Sequence, residues 1–313
     1  MRHGVLKNSR MILSFLILIV FFSDGYAASM EKIRHWFLLA SAGDVRLYKK
    51  GEKARKKLAR CGEKAVPFLI SQLGRKNIRK VREAERALRA IGDDAVPYLI
   101  MALADTNKGI ASLSARILGS THNRDAVPPL MVAARYGYPG LRASACYALG
   151  KLGDTAAVPI LIDALTDTIA SVRRLAALSL GRLKDERAIE PLFSLLSDSS
   201  YAVRYTAQNA ISKIDSKKAL EIALAKVDSA EIPEKYHLIV LLGALKDEDA
   251  LPTLEKFLQD TSPQIRGFAC EALGYFRGNW RVANMLKHSL WDNSPFVKMK
   301  AENSLDRLKK KSA

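Results

Sequence analysis

The chain has 313 residues, with 50 Lys and Arg against 32 Asp and Glu, and so carries a net charge of +18. Its residues are 49% hydrophobic but only 7% aromatic, a balance suited to helices packed through Leu, Ala, Ile and Val. The positive excess favours anions as partners, and a length near 300 suggests about two domains unless repeats overrule it.

In chain order, Arg2, Lys7 and Arg10 precede an apolar run over 12–22, followed by Gly25-Tyr26-Ala27. Small residues at the third and first positions before a cut after Ala27 complete the layout of a secretory signal peptide, residues 1–27. The run falls short of the ~20 residues a helix needs to span a bilayer. No Cys follows it, which excludes a bacterial lipoprotein anchor. Residues 28–313 are therefore expected in the periplasm or secreted.

Met30–Ala42 is predicted as the first helix, with Ile33, Phe37 and Leu38 on its apolar side and Gly43-Asp44 as its stop. Gly51–Arg60 is its partner. Thereafter one pattern repeats. Asp198 follows Asp167, Arg204 follows Arg173 and Ile211 follows Leu180, each at an offset of 31. An apolar residue recurs at Leu58, Leu88, Leu118, Leu149, Leu180, Ile211, Leu242, Leu273 and Leu305. A fixed period in this range is the signature of a solenoid, in which each unit contacts its neighbours along one continuous core. About nine two-helix units account for the chain after its first thirty positions, with no room for a separate catalytic domain.

Within a unit, a turn ends in A-V-P, as at Ala65-Val66-Pro67, Ala95-Val96-Pro97 and Ala157-Val158-Pro159. Proline suits the first turn of a helix, where its missing N–H has no partner to lose. An Asp follows eight residues later (Asp105, Asp167, Asp260), and the second helix carries V-R near its start. A glycine (Gly92, Gly150, Gly181, Gly243, Gly274) is predicted to stop that helix in the left-handed conformation.

The P-x-L-I helix start, the D-x-x-x-x-V/I-R link and the A-x-x-x-L-G-x-L helix end resemble HEAT-like repeats of the short type seen in phycobilisome lyase subunits. The link stands at Asp167–Arg173, Asp198–Arg204 and Asp260–Arg266. The resemblance covers about 31–308 and implies an all-α fold, an α-solenoid wound as a right-handed superhelix with second helices lining the concave face. It also implies that these Asp and Arg residues form a structural ladder between adjacent turns. Some units depart from the pattern: Ile110-Ala111 and Lys235 replace V-R residues, and the unit around Ser216–Val227 lacks its proline.

Charge is concentrated at the ends, since residues 28–92 hold 18 basic and 6 acidic side chains while 93–276 are close to neutral. Two before the recurrent apolar residue stand Lys56, Arg86 and Arg116, then Tyr147, Leu178, Asn209, Val240, Glu271 and Asn303. The first three predict a basic stripe along successive second helices, widened by Lys53 and Arg60. A stripe of one sign concentrates anions, although a solvated terminal cap reads the same way. Tyr136 and Tyr138, beside Gly137 and Pro139, form a candidate contact patch or a rigid aromatic turn. Cys61, Cys146 and Cys270 read as small buried hydrophobes. The five histidines are scattered without metal-ligand spacing, and the His-Glu pairs of the iron-binding HEAT-repeat hydroxylase of deoxyhypusine are absent. No phosphate loop or nucleophile motif is present, so no catalytic residue, metal or cofactor is assigned and the chain is expected not to be an enzyme.

These features predict a scaffold that holds a protein partner on its concave face, its basic first units meeting acidic protein, anionic lipid headgroups or another polyanion. A lyase-like role with a bound tetrapyrrole chromophore rests only on the family likeness. Nucleic-acid binding along the stripe is disfavoured by the signal peptide.

Overall fold

The computed structural model describes residues 24–42 and 47–309. The apolar run 12–22 and the predicted stop at Gly43-Asp44 lie outside the described residues. No strand occurs among the described residues, and the helices pair into nine successive units. The fold is an all-α solenoid.

Contacts divide the chain at Ala126/Val127 into two compact units. The first contains α1 (Asp24–Ser41), α2 (Tyr48–Arg60), α3 (Val66–Leu73), α4 (Ile78–Ile91), α5 (Val96–Ala102) and α6 (Lys108–Leu118). The second contains α7 (Val127–Tyr136), α8 (Pro139–Leu152), α9 (Val158–Asp163), α10 (Ala170–Leu183), α11 (Ile189–Ser194) and α12 (Tyr201–Ile211). It continues with α13 (Ser216–Val227), α14 (Glu234–Leu245), α15 (Leu251–Phe257), α16 (Pro263–Leu273), α17 (Trp280–Ser289) and α18 (Pro295–Lys309).

Each A-V-P turn is a short 3-10 segment that runs straight into the first helix, as Gly62–Ala65 runs into α3. The proline sits in the first turn, and the alanine and valine before it are buried at Ala65, Val66, Ala95, Val96, Ala157 and Val158. The recurrent apolar positions Leu58, Leu88, Leu118, Leu149, Leu180, Ile211, Leu242 and Leu273 are all fully buried. Ile33 and Phe37 carry the core contacts of α1, whereas Leu38 is 54% exposed. At 100° per residue Leu38 lies well off the stripe that Ile33 and Phe37 share.

The recurring glycines do a different job from the one the sequence predicts. Gly92 does take a positive φ of 74°, but Gly150, Gly181 and Gly243 lie inside α8, α10 and α14, and Gly274 caps α16 in right-handed geometry. Left-handed residues come three positions later, at Gly153, Lys184 and Lys246. The next residue, Asp154, Asp185 or Asp247, then caps the following 3-10 turn with its carboxylate. The glycines mark where the next second helix presses in. A Cβ on Gly181 would stand 2.8 Å from Cα and Cβ of Ala210, and one on Gly243 would stand 2.5 Å from Cα of Ala272. They are points of close approach, not stops.

Candidate functional site

The first compact unit displays a basic face. Along α2, Lys49, Lys53, Lys56 and Arg60 are exposed at spacings of four, three and four, so they share one side of the helix. Along α4, Arg79, Arg82, Arg86 and Arg89 are likewise exposed. Helix α2 packs beside α4 and α4 beside α6, which places Lys56, Arg86 and the exposed Arg116 on successive helices, about 10 Å from one to the next.

Two of the three carboxylates on these helices are taken by Arg55, and the third pairs with Arg89 of the face itself. Glu83 is buried and accepts from Arg55 Nε at 2.7 Å, Glu52 pairs with the same arginine, and Glu85 takes Arg89 at 2.6 Å. Donating to Glu83 holds the Arg55 guanidinium above its ordinary pKa. Arg86 lies 3.9 Å from Glu83, too far for a hydrogen bond. Lys53, Lys56, Arg60 and Arg116 have no ion-pair partner among the described residues. Sequence reasoning did not place Lys49, Arg79, Arg82 or Arg89 on this face. One-turn spacing from Lys53 and Arg86 finds Lys49, Arg82 and Arg89, and a second turn finds Arg79.

In the second unit the Asp-Arg ladder has a different connectivity from that expected. The Asp carboxylate does not bind the arginine six residues on; it accepts from the arginine of the preceding repeat. Asp167 takes Arg142 at 2.7 and 2.8 Å, Asp198 takes Arg173 at 2.6 and 2.9 Å, and Asp292 takes Arg266 at 2.7 and 2.8 Å. The arginine six residues on donates to the main-chain carbonyl instead, as Arg173 Nη1 does to Asp167 O at 2.7 Å and Arg266 Nη1 to Asp260 O at 2.8 Å. Each Asp also closes its own turn by accepting an N–H two residues later, from Ile169, Ser200, Ser262 and Ser294 at 2.8, 2.7, 2.8 and 2.8 Å. Hydrogen bonding from Arg142 holds the Asp167 carboxyl below the usual range. At Asp198 burial pushes upward, but Arg173 and the Ser200 N–H outweigh it and the net shift is down. Two predicted members deviate. Asp260 has no arginine on its carboxylate among the described residues, and Arg204 meets no carboxylate there.

Arg204 Nε faces His237 Nε2 at 3.3 Å, and His237 Nδ1 lies 2.9 Å from Gln208 Oε1. Because Gln208 Oε1 only accepts, the imidazole proton sits on Nδ1 and Nε2 accepts from arginine. Burial, then the Arg204 charge, pushes His237 down to about 4. The unfolded chain therefore binds a proton that the folded chain refuses between pH ~6.5 and ~4, and stability falls as pH drops through that window. We expect a loss approaching 3 kcal/mol by pH 4, removed in His237→Gln. Urea unfolding of both proteins at pH 7 and 4.5 checks this, and equal pH dependence would refute it.

Tyr136 is 72% exposed, while the carbonyl of Tyr138 receives the first N–H groups of α8 from Leu141 and Arg142 at 2.9 Å each. Arg142 Nη1 also donates to Gly137 O at 2.9 Å, fixing the turn between them. Tyr147 lies under the Arg182 guanidinium, 4.7 Å from ring centre to Cζ. The register that begins with Lys56 is not open throughout, since Val240 is buried. At its far end Glu271 and Asn303, with Lys300, Ser304 and Arg307, line a cleft of about 290 Å³. Cys146 and Cys270 are fully buried, and burial raises their thiols to about 12 and about 11; Cys61 is only part-buried.

A family model for HEAT repeats matches residues 96–180, 166–232 and 221–306. Deoxyhypusine hydroxylase of Danio rerio is 47% identical over 55 residues, which span 17% of this chain and 18% of the enzyme. Among solved structures, Escherichia coli YibA is 21% identical with a TM-score of 0.52, over 82% of this chain and 97% of that one. The complex of CpcE and CpcF of phycocyanin lyase from Nostoc sp. is 22% identical with a TM-score of 0.41, over 68% of this chain and 94% of that one.

The hydroxylase match overturns the expectation that the chain is not an enzyme. Repeats of this kind, at 47% identity over the matched stretch, belong to an enzyme, so neither the scaffold nor the absence of a familiar motif excludes catalysis. Among the described residues no group of three or more His, Cys, Asp or Glu is placed to hold a metal ion.

Proposed function

We propose that this chain, which belongs to the HEAT-repeat family, is an interaction scaffold that holds a protein partner along its second helices, with the basic face of α2, α4 and α6 against an anionic surface. The observation that carries this reading is the charge arrangement. Eight Lys and Arg residues share the exposed sides of α2 and α4, while Glu52, Glu83 and Glu85 pair with Arg55 and Arg89. Such a face attracts acidic protein, anionic headgroups or another polyanion, with an affinity that falls as salt rises.

The test is affinity capture from the native host's envelope, with residues 28–313 as bait beside Lys56→Glu/Arg86→Glu/Arg116→Glu. Mass spectrometry identifies proteins and lipids that co-elute. A partner released by salt and retained at least tenfold less by the triple variant, at unchanged helicity, is the expected result. Equal retention by both baits would sink the reading.

We further propose that the chain works in the periplasm or is secreted, after a cut following Ala27. Among the residues of α1 whose burial is described, the core contacts at Ile33, Phe37 and Ala40 all lie beyond such a cut. N-terminal sequencing of the protein from fractionated cells decides the point. A cytoplasmic protein that starts at its initiator methionine would contradict it.

A further inference from the structure

We propose that Arg204 is an unfilled rung of the ladder and serves as a receptor for a carboxylate on an acidic peptide segment of a partner. Four arginines of this chain hold equivalent places in their own repeats. Arg142, Arg173 and Arg266 each have one guanidinium nitrogen, Nη1, anchored to a main-chain carbonyl, at 2.9, 2.7 and 2.8 Å. Each turns its other edge, Nε and Nη2, onto the two oxygens of an Asp 25 or 26 residues later.

Arg204 has the same anchor, with Nη1 donating to Asp198 O at 2.6 Å and Ser199 O at 3.2 Å. Its receiving edge is therefore held out like the others. Twenty-five residues on, however, stands Ser229, and Asp228 next to it pairs with Lys256 at 2.9 Å. The edge meets only the neutral His237, which accepts from Nε at 3.3 Å, and among the described residues Nη2 has no acceptor.

The surroundings suit a peptide. Arg204 is only part-buried. Tyr201, 65% exposed, lies 5.7 Å from the guanidinium and stacks on Tyr205, 52% exposed, at 6.2 Å. A fixed fork of two N–H donors matches the two oxygens of a carboxylate, and exposed tyrosines supply contact area at low entropic cost. An incoming carboxylate takes Nη2 and competes with His237, a weaker, uncharged acceptor, for Nε.

This inference shares with the proposed function only the premise that the chain docks protein; it does not use the basic face. The probe is a blocked peptide copying the chain's own rung turn, Leu-Ser-Asp-Ser-Ser-Tyr-Ala, residues 196–202. It is compared with the same peptide carrying Asn for Asp, and with an uncharged peptide that has a free C-terminal carboxylate. Binding to the full chain is followed by the Nε–H resonance of Arg204, assigned through its loss in Arg204→Lys, and by anisotropy of the labelled peptides. The expected result is a shift of that resonance, those of Arg142, Arg173 and Arg266 staying in place, and affinity at least tenfold lower for Arg204→Lys and for the Asn peptide. A response to the Asp peptide identifies a side-chain carboxylate as the ligand, and a response to the third peptide alone identifies a chain terminus. No shift up to about 1 mM peptide, or undiminished binding by Arg204→Lys, overturns the proposal. Loss of binding in Lys56→Glu/Arg86→Glu/Arg116→Glu with the Arg204 resonance unmoved also overturns it, and assigns the peptide to the basic face.

Discussion

Asp198→Ala is expected to destabilise the second compact unit by about 3 kcal/mol, the cost of leaving a mostly buried charge without its counter-charge. The side chains of Arg173 and Asp198 are 14% and 6% exposed, so water replaces little of what is lost. The carboxylate accepts two hydrogen bonds from Arg173 and one from the Ser200 N–H, so the substitution strands two donors of a guanidinium and opens a turn. Removing both partners, as in Arg173→Met/Asp198→Ala, should cost less than removing the carboxylate alone, because no charge is then left uncompensated. Urea unfolding of the single and double variants measures both. A single-variant loss below about 0.5 kcal/mol, the size of an exposed pair, would show that the rung is solvated.

Gly243→Ala is expected to cost about 3 kcal/mol, at the upper end of overpacking a tight core. The added methyl would stand 2.5 Å from Cα and 2.7 Å from the carbonyl carbon of Ala272. Those are backbone atoms, so no side chain can rotate aside; the two helices must separate, and the buried Leu242 and Leu273 beside them lose contact. Gly153→Ala is the control. Nothing lies within 4 Å of a Cβ there, and the only penalty is a left-handed alanine, about 1–2 kcal/mol. A loss for Gly243→Ala no larger than that for Gly153→Ala would show that the two helices part easily and that close approach does not require the glycine.

The period was legible in the sequence, because the same apolar residue must be buried once per unit, and Leu58 to Leu273 recur on that spacing. So were the chemical types of the ladder. Its connectivity was not: Asp167 and Arg173 are close in sequence, but the carboxylate reaches Arg142 across the packing of α8 on α10. The glycines misled for a related reason. A glycine just after a buried leucine near a helix end looks like a stop, while the Ala210 or Ala272 that makes it necessary lies 29 residues away. On the basic face, Lys56, Arg86 and Arg116 were found by register and Lys53 and Arg60 by the turn on either side of Lys56, while Lys49, Arg79 and Arg89 were missed because that turn was not followed further along α2 or around Arg86. The His237 contact left no readable trace. An isolated histidine signals nothing until the absence of Asp at position 229 is set against its presence at 167, 198, 260 and 292.

The rungs are also the seams of a modular polymer. From Arg142 to Arg204 each turn is grasped twice, by its own arginine through the main chain and by the preceding one through a carboxylate. Such double fastening penalises the opening of one repeat while its neighbour stays closed, which is the coupling that makes a linear array melt as a block. At Arg204 the second fastening gives way to a single neutral contact with α14. Cooperative units are bounded where coupling is weakest, so the stretch from α13 to α14 is where the array should come apart in stages. Amide exchange should report a step in protection there, with α8, α10 and α12 opening together and α16 and α18 opening on their own schedule.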